Sequence, residues 1–197
     1  MSDTATSAPR ALRADAQRNR DQLVEAAGEL FGDRGIEAPL DEIARRAGVG
    51  IGTLYRHFPT RDALVEAVYR REVRMLCAGV DDQLAGRRPD EALASWMRDF
   101  AGYVARKRGM AMALKALLGA DSELFAESHR QIRHAIGTLV SAAVAAGAIR
   151  DDVDPDDLLR AMSGICMAAD TPGWNDRTAR LVDLLMDGLR YRASAPR

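Results

Sequence analysis

Residues 40–58 read LDEIARRAGVGIGTLYRHF, and this stretch decides the fold. It predicts two helices, at 40–47 and 51–58. Each is too short to persist alone, because helix nucleation costs more than a few turns return. An apolar face that the two helices share must therefore hold them. The residues predicted to form that face are Leu40, Ile43, Ala47, Val49, Leu54 and Phe58.

The turn between the two short helices gives a second indication. Gly48 follows the first helix, where a left-handed backbone conformation makes a sharp turn without a steric cost. Ala44 is small where the second helix is expected to cross closely. A small residue, a glycine four positions later and a leucine six positions after that together predict a helix-turn-helix.

The rest of the chain also has helical periodicity. Apolar residues recur at spacings of three and four nearly to the C-terminus, and no stretch alternates with period two, so an all-α fold is predicted. Thr60 and Asp154 are placed to cap the helices that follow them. The further helices are predicted at 15–34, 61–85, 90–107, 109–119 (a short piece between two glycines) and 122–146, with two more on either side of a turn at 170–174.

Length and composition exclude several classes of protein. The chain has 197 residues, 47% of them hydrophobic and 29% charged, so it can bury a core without disulfides or structural metals. No apolar run approaches the roughly 18 residues of a membrane span, and the first residues lack the apolar segment of a secretory signal. Cys77 and Cys166 are interpreted as small buried hydrophobes in a reducing compartment, so we expect a cytoplasmic protein that does not enter a membrane.

The overall charge gives no indication of a nucleic-acid partner. The net charge is −1, and residues 1–60 hold eight arginines against nine acidic residues. Any surface that binds phosphates must therefore come from the local placement of cations.

The stretch DEIARRAGVGIGTLYRHFPTRDALVEAV at 41–68 closely resembles the DNA-binding domain of TetR-family transcriptional regulators, and GTLYRHFPTRDAL at 52–64 matches that family's signature almost word for word. The resemblance covers about residues 15–70. It implies a three-helix helix-turn-helix domain, followed by a variable helical domain that binds a small molecule and dimerises. It also implies that the second short helix enters the major groove, that a dimer reads a palindromic operator in double-stranded DNA, and that an effector releases the DNA.

Three segments are predicted on this basis. Residues 1–13 form a disordered arm, because they are rich in Ser, Thr, Ala and Pro and have nothing to bury. Residues 14–60 form the helix-turn-helix domain, and 61–197 the domain for effector binding and dimerisation. The predicted function is a repressor released by a ligand. Two alternatives stay open: a helical small-molecule carrier or enzyme with an incidental motif, and a DNA-binding protein without effector response.

The resemblance assigns phosphate contacts to four side chains. Thr53, Tyr55 and His57 lie where the family contacts phosphates from its second short helix, and Arg61 where a cation at the start of the next helix grips the DNA backbone. Hydroxyls, imidazoles and guanidinium groups are the usual donors to phosphate oxygens.

The residues freest to meet base edges are Ile51, Gly52 and Arg56. Arg56 suits a guanine, and Ile51 suits a thymine methyl group. Two departures from the family pattern affect specificity: Pro39 removes a hydroxyl cap before the first short helix, and Gly50 with Ile51 replaces a pair that commonly donates hydrogen bonds.

Large apolar side chains near the middle of the chain predict a pocket for a small apolar or aromatic effector, since methionine adapts its shape to a ligand. The alternative is that the same side chains fill an irregular core. The residues of this region are Trp96, Met97, Phe100, Tyr103, Met110, Met112 and Phe125.

Apolar stripes on the last two helices predict a homodimer. One copy of the pair covers only one side of each stripe, whereas two copies related by a two-fold axis close into a four-helix bundle. The alternative, that the protomer core consumes both stripes, stays open for Leu158 and Leu181. The predicted interface residues are Leu158, Met162, Ile165, Cys166, Leu181, Leu184, Leu185 and Leu189.

No pattern predicts catalysis, a cofactor or a metal site. His129 and His134 are five residues apart, which is not the spacing of four that a helical metal pair uses. The acidic run at 151–157 lacks the central glycine and the final glutamate of a calcium loop. The protein is therefore predicted not to be an enzyme.

Overall fold

The computed structural model describes the backbone of residues 8–119, 121–167 and 174–191, and no strand occurs within these ranges. The all-α prediction is confirmed. The helices are α1 (Ala8–Arg34), α2 (Leu40–Arg46), α3 (Ile51–His57), α4 (Arg61–Ala78), α5 (Val80–Gly86), α6 (Pro89–Leu118), α7 (Glu123–Ala145), α8 (Pro155–Met167) and α9 (Trp174–Arg190).

The chain divides into two compact units. The first unit consists of Met1–Arg71 with Gly109–Gly119, and the second of Glu72–Arg108 with Ala120–Arg197. Helices α4 and α6 therefore each contribute residues to both units.

The first unit is organised by contacts among α1, α2 and α3. Leu23 and Ala27 of α1 are fully buried, as are Ile43 of α2 and Leu54 of α3, and Phe58 is almost fully buried. Burying a leucine or isoleucine side chain contributes about 1.5–3 kcal/mol. This shared core supplies the stability that α2 and α3, with 7 residues each, lack by themselves.

The start of α1 corrects the boundary of the N-terminal arm. Residues 8–13, for which disorder is predicted, are helical in the structure, whereas residues 1–7 lie outside the described residues. Ala8, Ala11 and Leu12 are strong helix formers. Extending an existing helix is far easier than nucleating one, so the packed part of α1 propagates toward the N-terminus.

Two other helix boundaries differ from the prediction, both at glycines. The helix predicted at 61–85 is interrupted at Gly79, where φ is −92° and ψ is 6°, so it forms α4 and α5. The break predicted at Gly109 is absent, and α6 runs through it. Met110 and Leu114, which follow Gly109, are buried, and this packing outweighs the cost of about 1 kcal/mol for a glycine inside a helix.

The second unit is built on contacts of α7 with α5 and α8 and of α8 with α9. Trp96 is fully buried, and its Nε1–H donates to the carbonyl oxygen of Leu76 at 3.0 Å. Asp90 is also buried, and it accepts hydrogen bonds from Nε and Nη2 of Arg190 at 3.0 and 2.8 Å. This ion pair joins the start of α6 to the end of α9.

The predicted caps are confirmed at the starts of α4 and α8. Thr60 Oγ1 accepts a hydrogen bond from the backbone N–H of Ala63 at 3.1 Å, and Asp154 Oδ1 accepts one from Asp156 N–H at 2.7 Å. Each oxygen satisfies one of the N–H groups that a helix leaves without a partner in its first turn.

Both cysteines are free thiols in the second unit. Burial raises the pKa of the Cys77 thiol to about 11. It also raises the pKa of Cys166, although Arg108 and Lys107 oppose that shift. A raised thiol pKa keeps the reactive thiolate scarce near neutral pH. No helix in the described part of the chain has the length and apolar character to cross a membrane.

Candidate nucleic-acid interface

The turn between α2 and α3 has the geometry that its glycine requires. Gly48 has φ +70°, in the left-handed region that favours glycine. The Gly48 N–H donates to the carbonyl oxygen of Arg45 at 3.1 Å, and the Val49 N–H donates to that of Ala44 at 3.0 Å. These hydrogen bonds close the C-terminus of α2 and direct the chain into α3.

Helix α3 presents one face to solvent and buries the opposite face. Leu54 is fully buried, whereas Ile51 is 42% exposed and Tyr55 is 50% exposed. Gly52 and Arg56 are exposed as well. The residues predicted to meet base edges therefore share one accessible face with Tyr55.

The charge of this face comes from Arg56. Its Nη2 lies 3.5 Å from the hydroxyl oxygen of Thr53 one turn earlier, and the sequence of α3 contains no acidic residue. Elsewhere in the first unit, acidic side chains pair with other arginines: Glu42 with Arg34 at 2.8 Å and Glu29 with Arg46 at 2.7 Å. A guanidinium on an exposed helix face, beside a hydroxyl, suits the acceptor edge of a base.

Arg61 has a structural role that its position in the motif did not reveal. Its Nη1 donates to the carbonyl oxygens of Ile36 and Ala38 at 2.6 and 2.7 Å, in a half-buried setting. These carbonyls lie in the loop before α2, whose N-cap residue, Pro39, makes no side-chain hydrogen bond. Arg61 therefore fastens the start of α4 to the loop that leads into α2. Because Nη1 already donates to these two carbonyl oxygens, it is not free for the phosphate contact predicted from the motif.

His57 differs from the prediction in a similar way. Its Nε2 atom is buried and makes no hydrogen bond with the described residues. In this rotamer Nε2 has no exposed surface at which a phosphate could contact it. The neighbouring Phe58 ring is instead covered by the guanidinium of Arg20, at 5.1 Å from the ring centroid. Arg20 is a supporting residue that the motif did not indicate, since its partner, Phe58, lies far along the chain, directly after α3.

The structure separates the residues predicted to line an effector pocket. Trp96, Met97, Phe100, Tyr103 and Phe125 are buried in the second unit. Met110, also buried, belongs to the first unit, as does Met112, which is 69% exposed. The residues of this region are thus mainly core, and Met112 is removed from the predicted pocket, because its side chain points to solvent.

The residues predicted to form a dimer interface also fall into two groups. Four of them are buried within the protomer: Leu158, Met162, Cys166 and Leu189. Met162 and Cys166 have no exposed surface left for a partner, whereas Leu158 and Leu189 line the groove between α8 and α9. The other four keep exposed surface: Ile165, Leu181, Leu184 and Leu185. Leu184 is 68% exposed. These four line an open groove of about 580 Å³ between α8 and α9, together with Ala161 and Gly188.

Two family models match the chain. Residues 23–68 match the model described as bacterial regulatory proteins, tetR family. Residues 88–191 match the model described as transcriptional regulator SbtR-like, C-terminal domain, which covers just over half of the 197 residues.

Solved structures and curated relatives agree with these models. The chain is 45% identical to a TetR transcriptional regulator from Streptomyces coelicolor, covering 87% of this chain and 98% of that chain, with a TM-score of 0.79. It is 37% identical to a TetR transcription regulatory protein from Mycobacterium vanbaalenii, covering 91% and 99% of the two chains, with a TM-score of 0.74. An HTH-type transcriptional regulator of Staphylococcus aureus is 40% identical over 63 residues. That match spans 32% of this chain and 34% of the relative, about a third of its length.

Proposed function

Because the chain belongs to the TetR family of bacterial transcriptional regulators, we propose that it is a homodimeric repressor, which a small-molecule effector releases from a palindromic operator in the cytoplasm. The observation that carries the proposal is the exposed face of α3. There Ile51, Tyr55 and Arg56 stand on the outside of a helix-turn-helix whose inner face is buried. An exposed helix of this kind fits the major groove of B-form DNA.

Each exposed residue of α3 has a role in the proposal. Arg56 donates two hydrogen bonds to O6 and N7 of a guanine, and Ile51 packs on a thymine methyl group. Thr53 and Tyr55 donate their hydroxyls to phosphates and so fix the register of the helix on the duplex. Gly52 lets the backbone approach the groove closely.

Dimerisation supplies the second half of a palindromic site. The apolar groove of α8 and α9 leaves Ile165, Leu181, Leu184 and Leu185 partly in water, and a second copy buries them. Two recognition helices in a symmetric dimer can then contact half-sites about 34–36 Å apart, one turn of the duplex. A single α3 makes too few contacts for tight binding.

The effector is proposed to bind in the second unit, so residues 14–60 recognise DNA and residues 61–197 sense the ligand and dimerise. Family membership points to a transcription factor rather than to an enzyme or a carrier. Release of bound DNA by an added metabolite distinguishes this proposal from the alternative, a constitutive DNA-binding protein without effector response.

The test starts with the full-length protein and random duplex DNA. Selection of bound duplexes and sequencing should yield a two-fold symmetric site, and sedimentation should give a complex of one dimer per site. A selected site without symmetry, or tight binding by a monomer, overturns the dimeric scheme. Release of the selected DNA by a metabolite extract supports effector control, whereas binding that no extract changes supports the constitutive alternative.

A further inference from the structure

A second opening in the second unit differs in chemistry from the α8–α9 groove. It is a cleft of about 600 Å³ lined by residues of α6, α7 and α8, within the roughly 300–1,000 Å³ of small-molecule sites. Its apolar lining includes Phe100 and Ile132, which are buried, and Val104 and Leu159, which are half-buried. This surface can cover the apolar body of a ligand.

Three cationic side chains and a histidine line this cleft together with its apolar residues. Lys107 of α6, His129 and Arg133 of α7 and Arg160 of α8 all line it. Among the described lining residues Asp156 is the acidic one. Arg160 also pairs with Asp157, which lies outside the lining, at 2.7 Å. The lining itself holds more cationic than acidic side chains, and this charge beside an apolar surface favours a ligand that combines an anionic group with an apolar body.

Lys107 is held close to the apolar part of the cleft. Its ammonium nitrogen lies 3.1 Å from the hydroxyl oxygen of Tyr103 and 4.4 Å from the centroid of that ring. The Tyr103 side chain is buried and Lys107 is half-buried. A carboxylate beside Lys107 would thus be partly shielded from water, where a charge-assisted hydrogen bond is stronger.

Arg133 already binds a carboxylate across the cleft. Its Nε lies 2.9 Å from Oδ1 of Asp156, so the pair joins α7 to α8. Outside the lining of the cleft, Nη2 of Arg108 donates to the carbonyl oxygen of Cys166 at 2.9 Å and also joins α6 to α8. Asp156 shows that this position of Arg133 accepts a carboxylate partner, and α8 also carries half of the groove proposed as the dimer interface.

We propose that this cleft is a binding site for an amphiphilic monocarboxylate, whose carboxylate is held by Lys107 and Arg133 and replaces Asp156 as the partner of Arg133. The apolar body of the ligand lies on Phe100, Val104, and Leu159. This assignment replaces the small apolar or aromatic effector predicted from the sequence. Release of DNA by such a ligand rests on the proposed function. The ligand would act by breaking the Arg133–Asp156 ion pair that joins α7 to α8.

The binding test uses the full-length protein without DNA. Dansylated undecanoate is the fluorescent probe. It is first bound to the protein, and its fluorescence is then followed while decanoate, decan-1-ol or decyltrimethylammonium is added as a competitor. Decanoate should displace the probe at a concentration at least about tenfold lower than decan-1-ol, since the alcohol lacks the charge. The trimethylammonium amphiphile, which carries the opposite charge, should compete least.

Variants of the ion pair have opposite expected effects. Arg133→Gln should weaken decanoate binding about tenfold and leave decan-1-ol unchanged, because it removes one charged donor. Asp156→Asn should strengthen decanoate binding severalfold, because it removes the carboxylate that competes for Arg133. Arg130→Gln is the matched control: Arg130 lies on the same helix and pairs with Glu123 and Glu127, but it does not line the cleft.

A variant that fills the cleft tests the location independently of charge. Apart from its chain neighbours and the backbone of its own helix, no atom lies within 4 Å of a Cβ built at Gly164, so Gly164→Leu should fold normally and weaken the binding of all three amphiphiles. Equal binding of decanoate and decan-1-ol, an equal effect of Arg130→Gln and Arg133→Gln, or unchanged binding in Gly164→Leu overturns the proposal.

The DNA measurement is kept separate so that the two proposals fail separately. If decanoate binds as described and also weakens the complex with the selected duplex, both proposals are supported. If decanoate binds as described but leaves that complex unchanged, the carboxylate site stands and effector-controlled release by this ligand is wrong.

Discussion

The proposed function uses one surface in each compact unit, and each of these surfaces leaves large apolar side chains in water. On α3 they are Ile51 and Tyr55, at 42% and 50% exposure. On the α8–α9 groove Leu184 is 68% exposed, and Ile165 and Leu185 are partly exposed. Exposed fraction alone does not distinguish the two surfaces.

The neighbouring side chains distinguish them. Beside the apolar residues of α3 lie Gly52, the hydroxyl of Thr53 and the guanidinium of Arg56, so that face offers hydrogen-bond donors and a charge. The α8–α9 groove is lined along α9 by leucines and Gly188, and its charged residues lie at the edge formed by residues 150–157. The first surface suits a polyanion with readable base edges, and the second suits a second copy of the same apolar surface.

The largest effect is expected for a charge placed in the apolar surface. Leu185→Glu should abolish the homodimer of about 43 kDa (twice 21.5 kDa), because symmetry buries two carboxylates without partners. Operator binding should fall with it. Sedimentation velocity at micromolar concentration measures the first effect, and a gel shift the second.

A control on the same helix separates this effect from a general change of charge. Asp187→Asn alters the net charge by one, at an exposed residue that does not line the groove, and should leave the dimer intact. Because Leu185 is only half-buried in the protomer, circular dichroism should show that Leu185→Glu remains helical. A dimer that survives Leu185→Glu would place the interface elsewhere.

The two surfaces were not equally predictable from the sequence. The α3 surface depends on 19 consecutive residues whose turn geometry is local, so the bounds of α2 and α3 agree with the prediction to one residue. The α8–α9 surface depends on which side of each helix its neighbours cover. Periodicity marks Met162 and Leu184 alike as apolar, but the fold buries the first and exposes the second.

Long-range contacts explain the remaining differences. The two carbonyl groups bound by Arg61 lie 25 and 23 residues earlier in the chain. The ion pair of Arg133 with Asp156 likewise joins two different helices, α7 and α8. No local pattern specifies such partners. Gly109 shows the same limit, since a helix breaker in sequence becomes a helical residue when Met110 and Leu114 are packed.

The next largest effect is expected when the charge of the α3 surface is removed. Arg56→Ala should cost about 1–3 kcal/mol at one base pair and relax the preference there, since it removes a bidentate contact to guanine. Tyr55→Phe, which deletes only a hydroxyl on the same face, should instead weaken all sequences about equally. Gel shifts with single-base variants of the selected site measure both. If Arg56→Ala weakens every variant equally, Arg56 contacts a phosphate.

A third prediction concerns the support behind the α3 surface. Arg61→Ala should lower the free energy of unfolding by about 1–3 kcal/mol, because the half-buried carbonyls of Ile36 and Ala38 lose their donor. DNA binding should weaken for all sequences alike. Thermal unfolding and the dependence of affinity on salt separate this role from a phosphate contact. A drop of about one unit in the salt slope, with unchanged stability, would return Arg61 to the phosphate contacts predicted from the motif.

The smallest effect is expected where the α3 surface carries no side chain. Gly52 is helical. Apart from its chain neighbours and the backbone of its own helix, no protein atom lies within 4 Å of a Cβ built at this position. Alanine there should therefore stabilise the fold by about 0.5–1 kcal/mol, because a helical glycine loses more chain entropy than alanine on folding. Folding alone gives no reason for glycine at this position, whereas an approaching DNA groove does.

Gly52→Ala should thus raise the unfolding temperature and weaken operator binding about fivefold, two effects of opposite sign from one methyl group. Gly32→Ala is the matched control: Gly32 is exposed in α1 and its Cβ also meets nothing within 4 Å. That control should give a similar stabilisation and unchanged DNA affinity. If both variants bind the operator as tightly as the original protein, the groove does not approach α3 at Gly52. In that case the recognition face would be centred on Tyr55 and Arg56, closer to the end of the helix.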